Sequence, residues 1–233
     1  MKRFEQEDVL TIPRLEQVPF LVHGFGTSRF KESDFKKEKE WKDFKLIFLD
    51  QIHSDFIHLI DKSPPKKLKG DSLVTKLPSL LLIVRTADCL PVLIVDESRK
   101  VIAAVHCGWR GSAKRVIQKA VEKMKVHYGA DPASLLVGLG PCIGFECYEV
   151  GGDVFENLMK EGHPQEFFRP HPLREGKYFF DLRGANLSQA LSLGVKEENV
   201  FSIERCTHCD QNFLSFRRDK KAARMLSFIG IKY

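Results

Sequence analysis

A cysteine and a histidine mark the two ends of a pair of apolar runs in TADCLPVLIVDESRKVIAAVHCGWRG, Thr86–Gly111. Cys89 stands just ahead of the run Pro91–Asp96, and His106 closes the run Val101–His106. A thiolate and an imidazole are zinc ligands, with bonds of about 2.3 Å and about 2.0 Å, and they are also the pair that performs nucleophilic catalysis. An antiparallel hairpin turning at ESRK, with Asp96 facing Val101, would bring Pro91 opposite His106. Cys89 shares the face of Pro91. It then lies diagonally across from His106, with Cα atoms about 7–8 Å apart, a distance at which two side chains can meet one ion. Two plainer roles compete on spacing alone: an ordinary buried thiol and a hydrogen-bonded core histidine.

A catalytic zinc takes three protein ligands and keeps one position open. Of the eight histidines, His53 in DQIHSD is the most loop-like and is flanked by carboxylates that could orient it. His23 in VHGFGT is second in line, and His58, His127, His163 and His171 read as surface or packing residues. Asp88 adjoins the thiol. After His106, GWRG places Arg110 at the mouth of a helix, where free N–H groups and a guanidinium make a seat for an anion such as phosphate.

The elements that must hold these residues are legible from periodicity. PFLVHGFGTSRF reads as a strand running into a glycine-rich turn, and KLIFLDQIHSDFIHLID as two strands flanking the polar break that contains His53. PSLLLIVRT, PVLIVD and VIAAVH are three buried strands. Val116, Ile117, Ala120, Val121, Met124 and Tyr128 recur at helical spacing, with Ser112 as the expected cap and Gly129 as the left-handed terminator. SLLVGLG is a further strand, and VGGDVFENLMKEG and RGANLSQALSLGV are expected to be helical. ENVFSIERC and QNFLSFRRD read as late strands, and KKAARMLSFIG as a last short helix. Strands and helices mix without strict βαβ alternation, which favours an α+β fold.

Bulk properties narrow the class. With 233 residues and 43% hydrophobic content, the chain, residues 1–233, is expected to form one domain with a sizeable core. The opening MKRFEQEDVL lacks the apolar region of a signal peptide, and the most apolar stretch is broken by Arg85 and Asp88, so no membrane association and a cytoplasmic location are expected. The net charge of +6 gathers in KKLK (Lys66–Lys69) and RRDKKAAR (Arg217–Arg224), which read as solvated surface. No nucleic-acid-binding motif accompanies them. KESDFKKEKEWKDFK reads as mixed-charge surface. Six cysteines in a chain without an export signal divide into packing thiols, ligands and nucleophiles rather than disulfides. Cys206 and Cys209 form a C-x-x-C that, with Cys142 and Cys147, could build a separate structural zinc, but the loose spacing favours buried packing thiols.

Taken together, HGFGT (His23–Thr27), QIH (Gln51–His53), GDSLVT (Gly70–Thr75), TADCLPVLIVD, AVHCGWRG, GLGPCIGFECYEVG, DLRGAN and CTHCDQNFLSFRRD closely resemble the YfiH-like family, also called the laccase-domain or multicopper polyphenol oxidoreductase-like family. The resemblance runs through nearly the whole chain. It implies a four-layer α/β/β/α sandwich with mixed sheets and a zinc ion bound by His53, Cys89 and His106. It also implies purine nucleoside phosphorylase activity, in which adenosine, inosine or methylthioadenosine is split by phosphate, with hydrolytic deamination of adenosine credited to some members. Two positions depart from the family pattern. Cys107 stands where alanine is usual, and RRDKKAARMLSF lacks the usual TGR step, which leaves the role of Arg224 open.

On this reading His53, Cys89 and His106 are both metal ligands and catalytic residues. Arg110 and the helix start at Ser112 hold phosphate, and Asp88 or Asp55 would shuttle the proton in a deamination. Three alternatives stand beside it. One is a cysteine hydrolase using Cys89 and His106. Another is a copper polyphenol oxidase, which the absence of any His-x-His pair and of a methionine in these motifs disfavours. The third is a metal-stabilised binding protein without turnover. The oligomeric state is left open by the sequence.

Overall fold

The computed structural model describes residues 8–37, 41–62, 67–221 and 223–232. Residues 1–7 of the opening stretch, 38–40 of the mixed-charge stretch and Lys66 of the basic run lie outside the described residues.

Two sheets pack face to face. The larger has the strand order β13 (Val200–Ser202), β9 (Leu136–Leu139), β7 (Leu90–Asp96), β8 (Val101–Cys107), β5 (Ser72–Thr75), β4 (Ile57–Ile60). The smaller runs β1 (Val9–Leu10), β2 (Leu21–Gly26), β14 (Met225–Ile231), β6 (Leu80–Thr86), β3 (Lys45–Phe48). Both are mixed: β4 pairs with β5, β13 with β9 and β3 with β6 in parallel, and the other neighbours are antiparallel. A small antiparallel sheet, β10 (Glu149–Gly151), β12 (Lys177–Phe180), β11 (Phe168–Pro170), lies outside them.

Strand alternation assigns each side chain to a layer. On β8, Val101, Ala103, Val105 and Cys107 face an outer core with α3 (Val116–Tyr128), α4 (Gly152–Lys160) and α5 (Leu182–Leu191), while Ile102 and Ala104 face the other sheet. The inter-sheet layer is closed by Phe25, Leu82, Val84 and Ile229. The far face of the smaller sheet is covered by Phe30, Phe35 and Trp41, with Phe35 on a single 3-10 turn, Glu32–Lys36. The stretch expected to be charged surface therefore also carries an aromatic lid, with Phe35 and Trp41 buried. The architecture is the expected α+β sandwich, with the outer layer on this side built from a turn and aromatic side chains.

Three local expectations are corrected. The helix expected from Ser112 is two helices, α2 (Trp109–Ala113) and α3, because Arg115 adopts a left-handed φ of 62° that breaks the spiral. Gly129 does terminate α3 with φ 70°. The segment KKAARMLSFIG does not form a helix: Met225–Ile231 is β14, a fully buried strand between β2 and β6. Its Leu226 and Phe228 enter the aromatic layer while Ile229 and Ile231 enter the inter-sheet layer, the two-faced alternation of a strand. QNFLSFRRD is not a strand but a turn leading into α6 (Phe216–Asp219), whose first turn is capped by Ser215 Oγ accepting from Arg218 N at 3.1 Å. The remaining helix, α1 (Pro13–Glu16), starts on a proline, whose missing N–H costs nothing there. Among the described residues no helix is long and apolar enough to cross a membrane.

Candidate metal centre

The chain passes from the smaller sheet to the larger at two places, between β3 and β4 and between β6 and β7. His53 sits in the first crossing and Cys89 in the second. Each crossing holds a non-glycine residue in the left-handed region: His53 has φ 57° and Asp88 has φ 88°. His106 arrives from the hairpin partner of the second crossing. Pro91 pairs with His106 and Asp96 with Val101, as strand alternation predicts, so Cys89 lies diagonally across from His106. All three side chains converge at the rim of the inter-sheet layer.

The ligand atoms of His53, Cys89 and His106 lie within 4.8 Å of one another. The two imidazoles meet edge to face, with centroids 4.9 Å apart. His106 is buried, Cys89 half-buried and His53 exposed, so the cluster forms the floor of a cleft that opens on the His53 side. The donor set of two imidazoles and one thiolate suits a tetrahedral ion with a fourth position free. Gly108 makes room for it. A Cβ there would stand 3.1 Å from both Cys89 Sγ and His53 Cδ2, so any larger residue crowds the ligands.

Asp71, a residue the sequence reading did not single out, organises the cluster from beneath. Its Oδ1 lies 2.7 Å from His106 Nδ1 and accepts from His53 N at 3.0 Å, while Oδ2 accepts from Ser54 N and Ser54 Oγ. The carboxylate flanking His53 in sequence, Asp55, instead pairs with Lys119 and Lys114 outside the cleft. Burial alone would raise the Asp71 carboxyl, but these donors hold it below its usual value. Engagement of Nδ1 by Asp71 leaves His106 Nε2 to face Cys89, the orientation that metal-binding histidines need.

The electrostatics of the cluster favour a thiolate. Burial opposes ionisation of Cys89, yet positive His106, its hydrogen bond to the sulfur and a further one from His53 pull the thiol below its ordinary value. Burial would likewise lower His106, but the Cys89 sulfur and Asp71 hold it above. Cys107 points to the opposite face into the outer core, and burial followed by the charges of Cys89 and Asp71 pushes it well up. It is a packing thiol.

The cleft measures about 490 Å³, and four guanidinium groups, Arg85, Arg110, Arg217 and Arg224, line it. Arg110 stacks over Trp109 at 4.3 Å, and Arg224 lies over Phe216 at 5.4 Å. Arg85 and Arg217 are anchored through Nη2 to the carbonyls of Leu49 (2.7 Å) and Glu149 (2.8 Å). Trp109, Ile143, Tyr148 and Phe216 supply an apolar wall. Asp88 joins these parts: its carboxylate accepts from Thr207 Oγ1 at 2.7 Å and from Arg217 N at 2.6 Å, and its carbonyl accepts from Ile143 N at 2.9 Å.

Other expected participants are not in the cleft. Ser112 is fully buried as the fourth residue of α2, with its Oγ accepting from Asn186 Nδ2 at 2.8 Å, so it neither caps the long helix nor reaches an anion. His23 is buried in β2, where Nε2 accepts from Ile12 N at 2.9 Å. Four cysteines were expected to be packing thiols, and only Cys142 is fully buried; Cys147 and Cys206 are half-buried and Cys209 is exposed.

Comparison with known proteins bears on this geometry. Residues 32–232 match the family model described as multi-copper polyphenol oxidoreductase laccase. A purine nucleoside phosphorylase of Clostridium acetobutylicum is 36% identical over 82% of this chain and 79% of its own length. The purine nucleoside phosphorylase YfiH of Escherichia coli is 33% identical over 80% of this chain and 74% of its own length. Among solved structures, YlmD from Geobacillus stearothermophilus superposes with a TM-score of 0.86 at 26% identity, covering 99% of this chain and 98% of that one.

Proposed function

The chain belongs to the multi-copper polyphenol oxidoreductase laccase family, in its YfiH-like branch, and from that membership we propose that it is a zinc-dependent purine nucleoside phosphorylase with His53, Cys89 and His106 as ligands. The observation that carries the reading is that one cleft of about 490 Å³ unites the His–Cys–His cluster, four arginines and an aromatic wall. That size suits a nucleoside and an inorganic anion together, and bidentate guanidinium contacts suit phosphate. Zinc is favoured over copper because no methionine is among the described residues lining the cleft to serve as a weak axial ligand.

In phosphorolysis an oxygen of phosphate bonds to the ribose carbon as the bond from that carbon to the purine nitrogen breaks. The base departs with the electron pair and gains a proton. Arg110, one of the arginines lining the cleft, holds phosphate for the attack. Trp109, Tyr148 and Phe216 bind the flat purine and sugar and exclude water from the reacting carbon. When bound, the zinc supplies an electrophilic anchor for the nucleoside. Asp71 orients the His106 ring and holds the backbone of His53, so that this anchor is pre-formed. Hydrolytic deamination is less well provided for: Asp88 is engaged by Thr207 and Arg217, and Asp55 by Lys119 and Lys114. Neither carboxylate is free to shuttle a proton.

Metal analysis coupled to phosphate-dependent release of base from adenosine, inosine and methylthioadenosine tests the reading. Cys89→Ala should abolish zinc binding at the His53–Cys89–His106 site and phosphorolysis together, and activity surviving with that site empty would overturn it. A second reading draws on the lowered Cys89 thiol beside His106: a cysteine hydrolase. It predicts inactivation by iodoacetamide and indifference to chelator, the reverse of the zinc enzyme.

A further inference from the structure

The C-x-x-C segment and Cys147 lie apart from the cleft floor, and the structure brings them together from two different loops. Cys147 ends the 3-10 turn Phe145–Cys147, while Cys206, His208 and Cys209 follow β13. Cys147 Sγ and Cys209 Sγ are 3.2 Å apart, and the ligand atoms of Cys147, His208 and Cys209 all lie within 4.8 Å of one another. Cys206 Sγ stands beside this trio without being one of its three mutually close ligand atoms. The same sulfur accepts from Gly144 N at 3.1 Å. Cys142, the other cysteine of GPCIGFEC, is not part of this group: its sulfur is fully buried beside Arg183 Nη2 at 3.6 Å.

We propose that Cys147, Cys206, His208 and Cys209 form a second metal centre, a closed, thiolate-rich site for zinc. Two sulfurs and an imidazole at one partly exposed point, with a third sulfur beside them on the same loop, are a poor hydrophobic cluster, yet together they supply the Cys₃His donor set of a structural tetrahedral zinc. The Gly144 N–H aimed at Cys206 Sγ favours a thiolate, as a ligand sulfur requires. The surroundings give the metal a task. The segment from β13 to α6 is irregular, and among its described residues only Thr207, Phe213 and Ser215 are fully buried, too little apolar burial to offset the ordering of so long a loop. It must nonetheless place Thr207 against Asp88 and Arg217 in the cleft. The Arg218 guanidinium ties the loop through the carbonyls of Thr207, His208 and Phe213, and a metal clamp joining it to Cys147, next to Tyr148 of the cleft wall, adds a second constraint.

The two centres differ in sulfur content, one thiolate at the first and three at the second, and this makes the proposal testable. The protein is purified under reductant, and zinc per chain is measured for wild type and for Cys147→Ser/Cys209→Ser. The expected result is the loss of one equivalent with His53, Cys89 and His106 intact. In parallel, the Cys89→Ala protein is loaded with cobalt(II) in place of zinc. The second centre predicts intense sulfur-to-cobalt charge-transfer absorption with the visible bands of a tetrahedral ion. Unchanged metal content in the double variant would overturn the proposal, as would a disulfide between Cys147 and Cys209 in the reduced preparation. Failure of cobalt-loaded Cys89→Ala to show the charge-transfer bands would do so even if the double variant did not fold.

Discussion

His106 Nδ1 and Asp71 Oδ1 lie 2.7 Å apart with both residues shut off from solvent. The contact is built by the sheet itself. β5 and β8 pair so that Ser72 faces Val105, and His106 N donates to Asp71 O at 2.8 Å, which sets the carboxylate beneath the imidazole. The same carboxylate receives the backbone of His53 and Ser54. One acidic side chain therefore fixes two of the three candidate ligands, although it is distant from both in sequence.

Asp71→Asn tests that role. An amide keeps the shape but turns an N–H₂ toward groups that are themselves donors, so it cannot satisfy His106, His53 N and Ser54 together. Removing such an outer partner lowers metal affinity about 10–100-fold. Competition of the variant against a zinc chelator should show that loss, with phosphorolysis falling in step at limiting zinc and recovering in part at excess zinc. Unchanged affinity would mean that Asp71 only supports the fold.

Gly108→Ala separates ligand crowding from backbone effects. Gly108 has φ −84°, a conformation open to alanine, so the substitution introduces no backbone strain. Its new methyl group would stand 3.1 Å from Cys89 Sγ and His53 Cδ2. Zinc affinity is expected to fall about tenfold or more, while the metal-free protein loses only about 1 kcal/mol, the cost of alanine at a helix N-cap. Chelator competition and chemical denaturation of the metal-free variant read the two quantities separately.

What could be read from the chain follows from the range over which each signal acts. The pairing of Pro91 with His106 is legible because two apolar runs and a short turn fix register locally. His53 is legible as the histidine of a polar break between strands. That the break crosses from one sheet to the other is not, since β3 and β4 look alike in sequence and differ only in partner. Asp71 stands beside none of the candidate ligands in sequence, unlike Asp55, close to His53, and Asp88, next to Cys89. The signal available was an acidic residue leading directly into the short apolar strand Ser72–Thr75. KKAARMLSFIG reads as a helix because lysine, alanine and arginine precede Met225, whereas Met225–Ile231 is a strand. Its unbroken burial belongs to a central strand, which shows no amphipathic period to detect. The thiols at 147, 206 and 209 could not be placed from spacing, since two separate loops supply them.

Arg110 is the cleft arginine that stacks on Trp109, and it is the residue assigned to phosphate. Hydrogen bonds to a charged group contribute about 1.5–3 kcal/mol, so Arg110→Ala should raise KM for phosphate about 10–100-fold with zinc content unchanged. Arg110→Lys should restore part of the loss, because it keeps the charge but not the planar fork. Initial rates at varied phosphate and fixed inosine measure this. A rise in KM for inosine alone would instead place Arg110 against the nucleoside.

His23 makes acid sensitivity a property of the fold independent of the metal. Burial depresses it from 6.5 to about 4, only partly offset by Glu16, and neutral Nε2 accepts from Ile12 N. Between those two values the unfolded chain binds a proton that the folded chain refuses, so stability is full above about pH 6.5 and falls as pH drops toward 4. A shift of this size corresponds to about 3 kcal/mol over the window. His23→Gln can keep an oxygen acceptor for Ile12 N without titrating. In chelator-treated protein, the drop in urea midpoint between pH 7 and pH 4.5 should be smaller in the variant than in wild type. Equal drops in the two proteins would remove His23 as the cause and point to the carboxylates instead.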